Sequence, residues 1–199
     1  MLKTNKFFLF GTIFILAGLA LFSKNLWEDY QVGKNTDLIK VMLEEKKQEE
    51  IEEKIDGIPD YIKNPNIEMK KVMVGGNEYI GYVIIPSLGL DLPVLSSWSY
   101  SKLKIAPARY EGSVYQNNMI LLAHNYKVHF GKIYRLNIGD IIQFKDMNGN
   151  IFDFSVEKKE ELDELQVEDM LSGDWDLTLF TCTLDGEART TVRCKRIEK

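Results

Sequence analysis

The chain has 199 residues, of which 45% are hydrophobic and 28% charged, an ordinary composition for one globular domain with an appendage. Its formal net charge of −5 argues against nucleic acid as a partner, because phosphate-binding proteins usually carry a basic surplus. The sequence contains no glycine-rich phosphate loop, dinucleotide-binding fingerprint or zinc-finger pattern.

Residues 7–22 form a nearly unbroken apolar run, which predicts a transmembrane helix. Lys3 and Lys6 precede the run, and Trp27 follows it as a suitable interfacial anchor. The two lysines on the short N-terminal side predict that this end is cytoplasmic and that the rest of the chain is extracytoplasmic. A cleaved signal peptide is the alternative, but no small-x-small cleavage site follows the run. We therefore predict a cytoplasmic tail over residues 1–6 and an uncleaved, single-pass anchor over residues 7–23.

The next segment, residues 25–56, is charged and helix-prone, with apolar residues at loosely helical spacing. We expect a solvated spacer helix that lifts the following domain off the membrane, and a helix that binds a partner is the alternative. Gly57, Pro59 and Pro65 then interrupt the pattern. This punctuation divides the chain into a helical, charged linker over residues 24–65 and a C-terminal domain over residues 66–199.

Short alternating strands are predicted throughout the C-terminal domain. They cover residues 79–85, 90–95, 119–123, 141–145, 150–156, 177–183 and 187–197, whereas residues 160–170 indicate a helical or irregular connection. The dipeptide Asn148-Gly149 favours a hairpin turn. Many short strands separated by turn signals predict a closed barrel or a sandwich, and about 130 residues suffice for one such core.

Two cysteines and two histidines limit the chemistry that this domain can perform. Cys182 and Cys194 could form at most one disulfide, which excludes a disulfide-built scaffold. His124 and His129 lack the spacing of a zinc site. We predict neither a metal nor a cofactor, and we expect Cys194 to be a small buried residue of a strand.

The last two strands flank Asp185-Gly186, a dipeptide preferred in two-residue hairpins because both central positions need positive φ. In the register that this turn sets, Cys182 lies directly opposite Arg189, with the two Cβ atoms about 5 Å apart. Cys194 then lies on the other face, so the register disfavours a disulfide with Cys182. Arg193 shares the face of Cys182 but pairs with a residue further down the strand.

A guanidinium beside a thiol can stabilise the thiolate, or the oxyanion that forms when the thiolate attacks a carbonyl. An ordinary cross-strand pair is the alternative explanation for Arg189. His124 directly follows the apolar strand at residues 119–123, where it could act as the acid or base that a cysteine nucleophile needs. A structural histidine is the alternative there, and His129 in the following loop is expected to be exposed. Sequence spacing cannot bring His124 to Cys182, because only a fold can do so.

These residues resemble a known family. Residues 178–182, with the sequence TLFTC, resemble the TLxTC signature of the sortases, which are Gram-positive transpeptidases on the outer face of the membrane. Residues 123–125 resemble the family's histidine segment, and Arg189 matches the position of its essential arginine. Upstream, residues 81–94 and 106–124 are similar to the family's opening strands and to its approach to the histidine.

The resemblance covers roughly residues 67–199 and implies an all-β fold, a closed eight-stranded sortase-like β-barrel with short helices and an active site at one end. It implies that Cys182 attacks the threonine carbonyl of an LPxTG-like sorting signal on a secreted protein and forms a thioester. His124 would protonate the leaving amine and then deprotonate an incoming amine, while Arg189 would hold the substrate carbonyl or stabilise the oxyanion. The incoming amine would belong to a peptidoglycan precursor or to a pilin lysine. Residues 157–175 occupy the place of the connection that shapes substrate choice.

Some features depart from the family or leave alternatives. The loop between Cys182 and Arg189 is short, so Arg193 remains an alternative active-site arginine. No upstream Asp-Pro or Asp-Trp lid motif is present, which weakens the expectation of a pilin polymerase, and no calcium site can be assigned. A papain-like cell-wall peptidase is disfavoured, because such enzymes place the cysteine before the histidine. A non-catalytic barrel that binds peptide or cell wall is the remaining alternative.

Overall fold

Three α-helices and nine β-strands, joined by short 3-10 turns, make up the described part of the chain. The computed structural model describes residues 6–50, 59–163, 165–183 and 186–197. The helices are α1 (Lys6–Glu50), α2 (Asp60–Lys63) and α3 (Val167–Leu171). The strands are β1 (Val72–Val74), β2 (Asn77–Ile85), β3 (Leu90–Leu95), β4 (Ala108–Glu111), β5 (Met119–Leu122), β6 (Ile141–Asp146), β7 (Ile151–Asp163), β8 (Leu177–Cys182) and β9 (Ala188–Arg196).

Eight of these strands close into a barrel. Their order is β2-β3-β4-β5-β8-β9-β7-β6, and β6 pairs in turn with β2, so the sheet returns to its start. Strand β1 extends β2 as a short antiparallel hairpin outside this ring. The pairs β3–β4 and β5–β8 are parallel and the other pairs antiparallel, which makes the barrel mixed. The predicted eight-stranded barrel is confirmed.

Side chains that alternate along the strands fill the barrel interior. In β8, Leu177 and Leu179 point inward and are fully buried, whereas Phe180 lies in a second apolar cluster on the outside of the barrel. Burying one such side chain contributes about 1.5–3 kcal/mol. The alternation matters for function because it sends Phe180 and, two residues later, Cys182 to the outer face.

The predicted strands are present, but the connection at residues 160–170 differs from the prediction. Strand β7 continues to Asp163, and its last part pairs with the start of β9, as between Glu161 and Thr190. This stretch is rich in charges, which suggested a helix, yet one face is exposed and the other carries Leu162 into the outer apolar cluster. Pairing with β9 satisfies its backbone and overrides the local propensity. Among the described residues that follow β7 and precede β8, the helical ones are Val167–Leu171.

Helix α1 joins the apolar segment and the charged segment in one continuous helix. Its first part is exposed, and the helix is long and apolar enough to cross a membrane. Its second part is not solvated as predicted, because Val32, Thr36 and Leu43 are buried and Leu43 packs in the apolar cluster on the outside of the barrel. The Lys46 ammonium also donates to the Met73 carbonyl at 2.7 Å. The spacer prediction is therefore wrong for this part, since its apolar residues recur on one helical face and can pack. The last predicted helical residues, 51–56, lie outside the described residues.

Candidate active site

The ends of β5 and β8 place a histidine beside a cysteine. The two strands run parallel in a register that pairs Leu122 with Phe180, so His124 and Cys182 each lie two residues beyond paired positions. Parallel neighbours are about 4.8 Å apart, and the alternation of side chains sends both residues toward the outer face. The fold thus brings together two residues that are 58 positions apart in the chain.

Three hydrogen bonds continue this pairing past the end of β5. The Ala123 amide donates to the Phe180 carbonyl at 3.3 Å, and the Thr181 hydroxyl donates to the Ala123 carbonyl at 2.8 Å. On the other side of the histidine, the Asn125 side-chain amide donates to the Thr183 carbonyl at 3.5 Å. The backbone of His124 is therefore held from both sides next to the cysteine-bearing strand.

The predicted hairpin register is confirmed, since Cys182 pairs with Arg189 across β8 and β9. The Thr183 amide donates to the Ala188 carbonyl at 2.9 Å, and Gly186 adopts a φ of +81° in the turn. Residues 184 and 185 lie outside the described residues. Arg189 is half-buried, and its guanidinium donates to the carbonyls of Gly186 at 3.3 Å and Ala188 at 3.1 Å. Both bonds are to its own turn, so the guanidinium can exchange them for a substrate oxygen.

Arg193, the alternative arginine, has a different environment. It is only 2% exposed and donates to the Glu160 carboxylate at 2.8 Å and to the Thr178 hydroxyl at 3.1 Å. It also donates to the carbonyls of Asp169 at 2.7 Å and Met170 at 2.8 Å, in helix α3. These bonds fasten α3 to the barrel wall. The arginine whose position adjoins Cys182 is therefore Arg189.

The two cysteines differ in the same way. Both are free thiols, in agreement with the predicted register, which disfavoured a disulfide between them. Cys182 is half-buried at the end of the barrel where β5 and β8 end, which we call the mouth. Cys194 is fully buried and packs with the barrel core, as predicted. Burial, with a smaller contribution from the negative charge of Glu157, raises the pKa of the Cys194 thiol. Cys194 is thus chemically inert in the folded protein.

His124 is half-buried, and this burial, together with the positive charge of Lys104, lowers the pKa of its imidazole. A neutral imidazole is consequently favoured near neutral pH, which is the form that can accept a proton. The ring also lies against Tyr126, with 5.1 Å between the ring centroids.

His129 is not exposed, so the prediction for this residue is wrong. It has no accessible surface, and neither ring nitrogen has a hydrogen-bond partner among the described residues. Two backbone bonds to the Tyr126 carbonyl, from His129 and Gly131, fold the loop so that the imidazole lies behind the Tyr126 ring. Burial, with a smaller contribution from His124, lowers the pKa of His129 to about 4. The apolar neighbour Phe130, which enters the barrel core, is the sequence signal that could have indicated this burial.

Sequence reasoning also missed a cleft of about 800 Å³ beside Cys182. One wall is helix α1, which contributes Asn25 and Asp29, and the other is the loop that follows His124. The Lys127 amide donates to the Asp29 carboxylate at 3.3 Å and connects the two walls. Nothing in the local sequence pairs the linker with this loop, so only the packed helix reveals the cleft.

An apolar strip lies on the outer face that leads to Cys182. The Phe180 ring makes an edge contact with Tyr110 at 5.3 Å, and Trp98 stacks on Tyr110 at 5.6 Å. Leu122 flanks Phe180 on the neighbouring strand and belongs to the same apolar cluster. Trp98 is 39% exposed, so part of this strip is open to a ligand. Among the described residues, no group of three or more His, Cys, Asp or Glu side chains is arranged to hold a metal ion.

The mouth of this closed mixed barrel brings together a cysteine, a histidine and an arginine, residue types that can take part in covalent catalysis by a thiol. Residues 83–197, more than half of the chain, match the Sortase domain family. The chain therefore belongs to the sortase family, a family of cysteine transpeptidases.

Solved structures have the same fold. Streptococcus pneumoniae Sortase C is 22% identical, with a TM-score of 0.57, and the match covers 86% of this chain and 89% of that one. The Clostridium perfringens Sortase D5 transpeptidase is 22% identical, with a TM-score of 0.56 over 79% of this chain and 99% of that one. Streptococcus agalactiae Sortase C1 is 25% identical, with a TM-score of 0.52 over 60% and 67%. No curated protein matches the chain.

Proposed function

We propose that the protein is a membrane-anchored sortase that cleaves an LPxTG-like signal between threonine and glycine. It transfers the acyl group from Cys182 to an amine of the cell wall or to a pilin lysine. The observation that carries this proposal is the parallel register of β5 and β8, which sets His124 beside Cys182. Arg189, the cross-strand partner of Cys182, completes the site.

In the first half-reaction, His124 accepts the proton of the Cys182 thiol, and the resulting thiolate attacks the carbonyl carbon of the signal's threonine to form a carbon–sulfur bond. Arg189 leaves the carbonyls of its own turn and stabilises the negative charge that develops on the carbonyl oxygen. The carbon–nitrogen bond then breaks, and His124 donates its proton to the departing amine of glycine. A thioester on Cys182 and a neutral imidazole remain.

In the second half-reaction, a neutral primary amine attacks the thioester carbonyl. His124 accepts the proton that this amine loses, in keeping with burial that lowers its pKa and favours the neutral base. The carbon–sulfur bond breaks, a new amide bond forms, and the thiolate of Cys182 is regenerated.

The apolar strip is the surface on which we expect the sorting signal to bind. Phe180 and Leu122 directly precede the reacting residues on the outer face, and Trp98 and Tyr110 extend the apolar surface. An extended, largely uncharged peptide can lie there with its threonine carbonyl at Cys182. Helix α1 supports the proposed anchor and would keep the mouth at the extracytoplasmic membrane surface.

Mass spectrometry of the full chain in detergent tests this function. Incubation with LPxTG-like peptides should give a covalent adduct at Cys182, and an added amine should release it as a transpeptidation product. Cys182→Ala should give no adduct, whereas Cys194→Ala, the matched control, should give the wild-type adduct. A folded protein that binds these peptides but forms no adduct with any of them would be a binding barrel and not a transpeptidase.

A further inference from the structure

The cleft beside Cys182 is lined by other residues than the apolar strip. Its described lining includes residues 181–183 of β8 and its extension but not Phe180, the residue through which the strip approaches. The cleft and the strip therefore reach Cys182 through different residues. If the sorting signal occupies the strip, the cleft remains open for the group that attacks the thioester.

Three polar residues on adjacent strands, Thr181, Thr190 and Glu161, line the cleft at the end of the barrel. Thr181 pairs with Thr190, and Thr190 pairs with Glu161, so two hydroxyls and one carboxylate cross three adjacent strands. The backbone of Glu161 lies two strand spacings, or roughly 10 Å, from the β8 strand that bears Cys182. Such a row offers hydrogen-bonding partners to a polar ligand.

The charges on the two walls differ in sign. Helix α1 contributes Glu28 and Asp29, whereas the facing loop contributes Lys127, Lys132 and Arg135. Together with Glu161, the described residues that line the cleft include three acidic and three basic side chains. This balance suits a ligand that carries both an amine and an anionic group.

Phe22, the last residue of the apolar run, lines the cleft, and Asn25 follows within one helical turn. The site is thus continuous with the end of α1 that would meet the membrane surface. Its volume of about 800 Å³ is that of a pocket for a small molecule or a short peptide. A folded protein such as a pilin subunit could insert only a side chain.

We propose that this cleft binds the amine acceptor, a short peptide with a primary amine directed to Cys182 and an anionic group directed to Lys132 and Arg135. Helix α1, which the sequence indicated as a spacer, supplies one wall of the site through Asn25 and Glu28. The inference rests on the proposed transpeptidase function, because an acceptor site needs an acyl-enzyme to serve.

Acceptor kinetics on the full chain in detergent test this site. The donor is an LPxTG-like peptide, and the acceptors are triglycine and triglycinamide, which differ in the terminal carboxylate. Lys132→Ala should raise the KM for triglycine about ten-fold relative to the KM for triglycinamide, since only triglycine offers the anion. Asn25→Trp should fill the cleft and raise the KM for both acceptors about ten-fold relative to the donor KM.

Asn35→Trp is the matched control, because Asn35 is an exposed residue of the same helix outside the cleft. It should leave the ratio of the two acceptor KM values, and the ratio of acceptor KM to donor KM, at the wild-type value. Thermal melting should show that the variants are folded. The proposal is overturned if Asn25→Trp and Asn35→Trp have equal effects. It is also overturned if Lys132→Ala affects the two acceptors alike, or if only a folded pilin-like acceptor responds. Failure of the wild-type protein to form a thioester would instead refute the proposed function, and the acceptor site with it.

Discussion

The mouth of the barrel and the buried part of the domain contain the same three residue types in different environments. The residues form three pairs, in each of which the first member is half-buried at the mouth and the second is buried. The pairs are His124 and His129, Cys182 and Cys194, and Arg189 and Arg193. Arg193 uses its guanidinium in bonds to a carboxylate, a hydroxyl and two carbonyls, whereas the guanidinium of Arg189 donates to carbonyls of its own turn. Residue type alone therefore does not identify a reactive group, because accessibility and unused bonding capacity also decide it.

Substitution of the two cysteines should give the largest difference in transpeptidation rate. Cys182→Ala should reduce transpeptidation on the order of 10⁴-fold or more, since it removes the nucleophile. Cys194→Ala should retain activity and lower the free energy of unfolding by about 1–2 kcal/mol, through lost core packing. Peptide-transfer rates and urea unfolding measure the two effects, and a large loss of activity in folded Cys194→Ala would contradict the comparison.

The arginine pair should separate catalysis from stability. Arg189→Ala should lower kcat/KM about 10²–10³-fold with little change in stability, because it removes an oxyanion donor. Arg193→Ala should instead lower the free energy of unfolding by roughly 3 kcal/mol, since it leaves Glu160 and the α3 carbonyls without their buried partner. Arg189→Lys, which keeps the charge without the planar fork, should lie between wild type and Arg189→Ala. If Arg193→Ala were stable and inactive, the assignment would be reversed.

The buried histidine should make the fold sensitive to acid. The pKa of His129 is about 4 in the folded protein, against an ordinary value of about 6.5, so the unfolded chain binds its proton more readily. Stability from this group is fully present above pH 6.5 and is lost as the pH falls toward 4, by roughly 3 kcal/mol. Urea unfolding at pH 7 and pH 4 should show a smaller loss for His129→Leu than for wild type. Equal losses would show that the imidazole is not buried in solution.

The smallest expected effect concerns the mouth histidine. Lys104→Gln removes a positive charge that helps to lower the pKa of His124, so the pKa should rise. The limb of the pH–rate profile that reports on His124 should then move to higher pH. The shift should shrink in high salt, because Lys104 is exposed and its field is screened. Lys102→Gln, a change of the same charge in the same short segment, is the control, and an identical shift there would exclude a specific contribution from Lys104.

Local patterns in the sequence were sufficient for much of the fold. The alternating strands and the turn between β8 and β9 are short-range features, since the pleat and the turn geometry are set by neighbouring residues. They correctly predicted that Cys182 faces Arg189 and that Cys194 lies on the other face. The resemblance to the sortases added the prediction that the barrel is closed and has eight strands. The domain boundaries stay predictions.

Only the tertiary structure decided how distant segments meet. The parallel pairing of β5 with β8 sets His124 beside Cys182, and no local turn encodes a contact between strands so far apart in the chain. The same holds for the burial of His129 and for the packing of α1, whose side chains Val32 and Leu43 find partners only once the barrel exists. Local propensity describes what a segment can form, whereas burial depends on which other surfaces the fold brings to it.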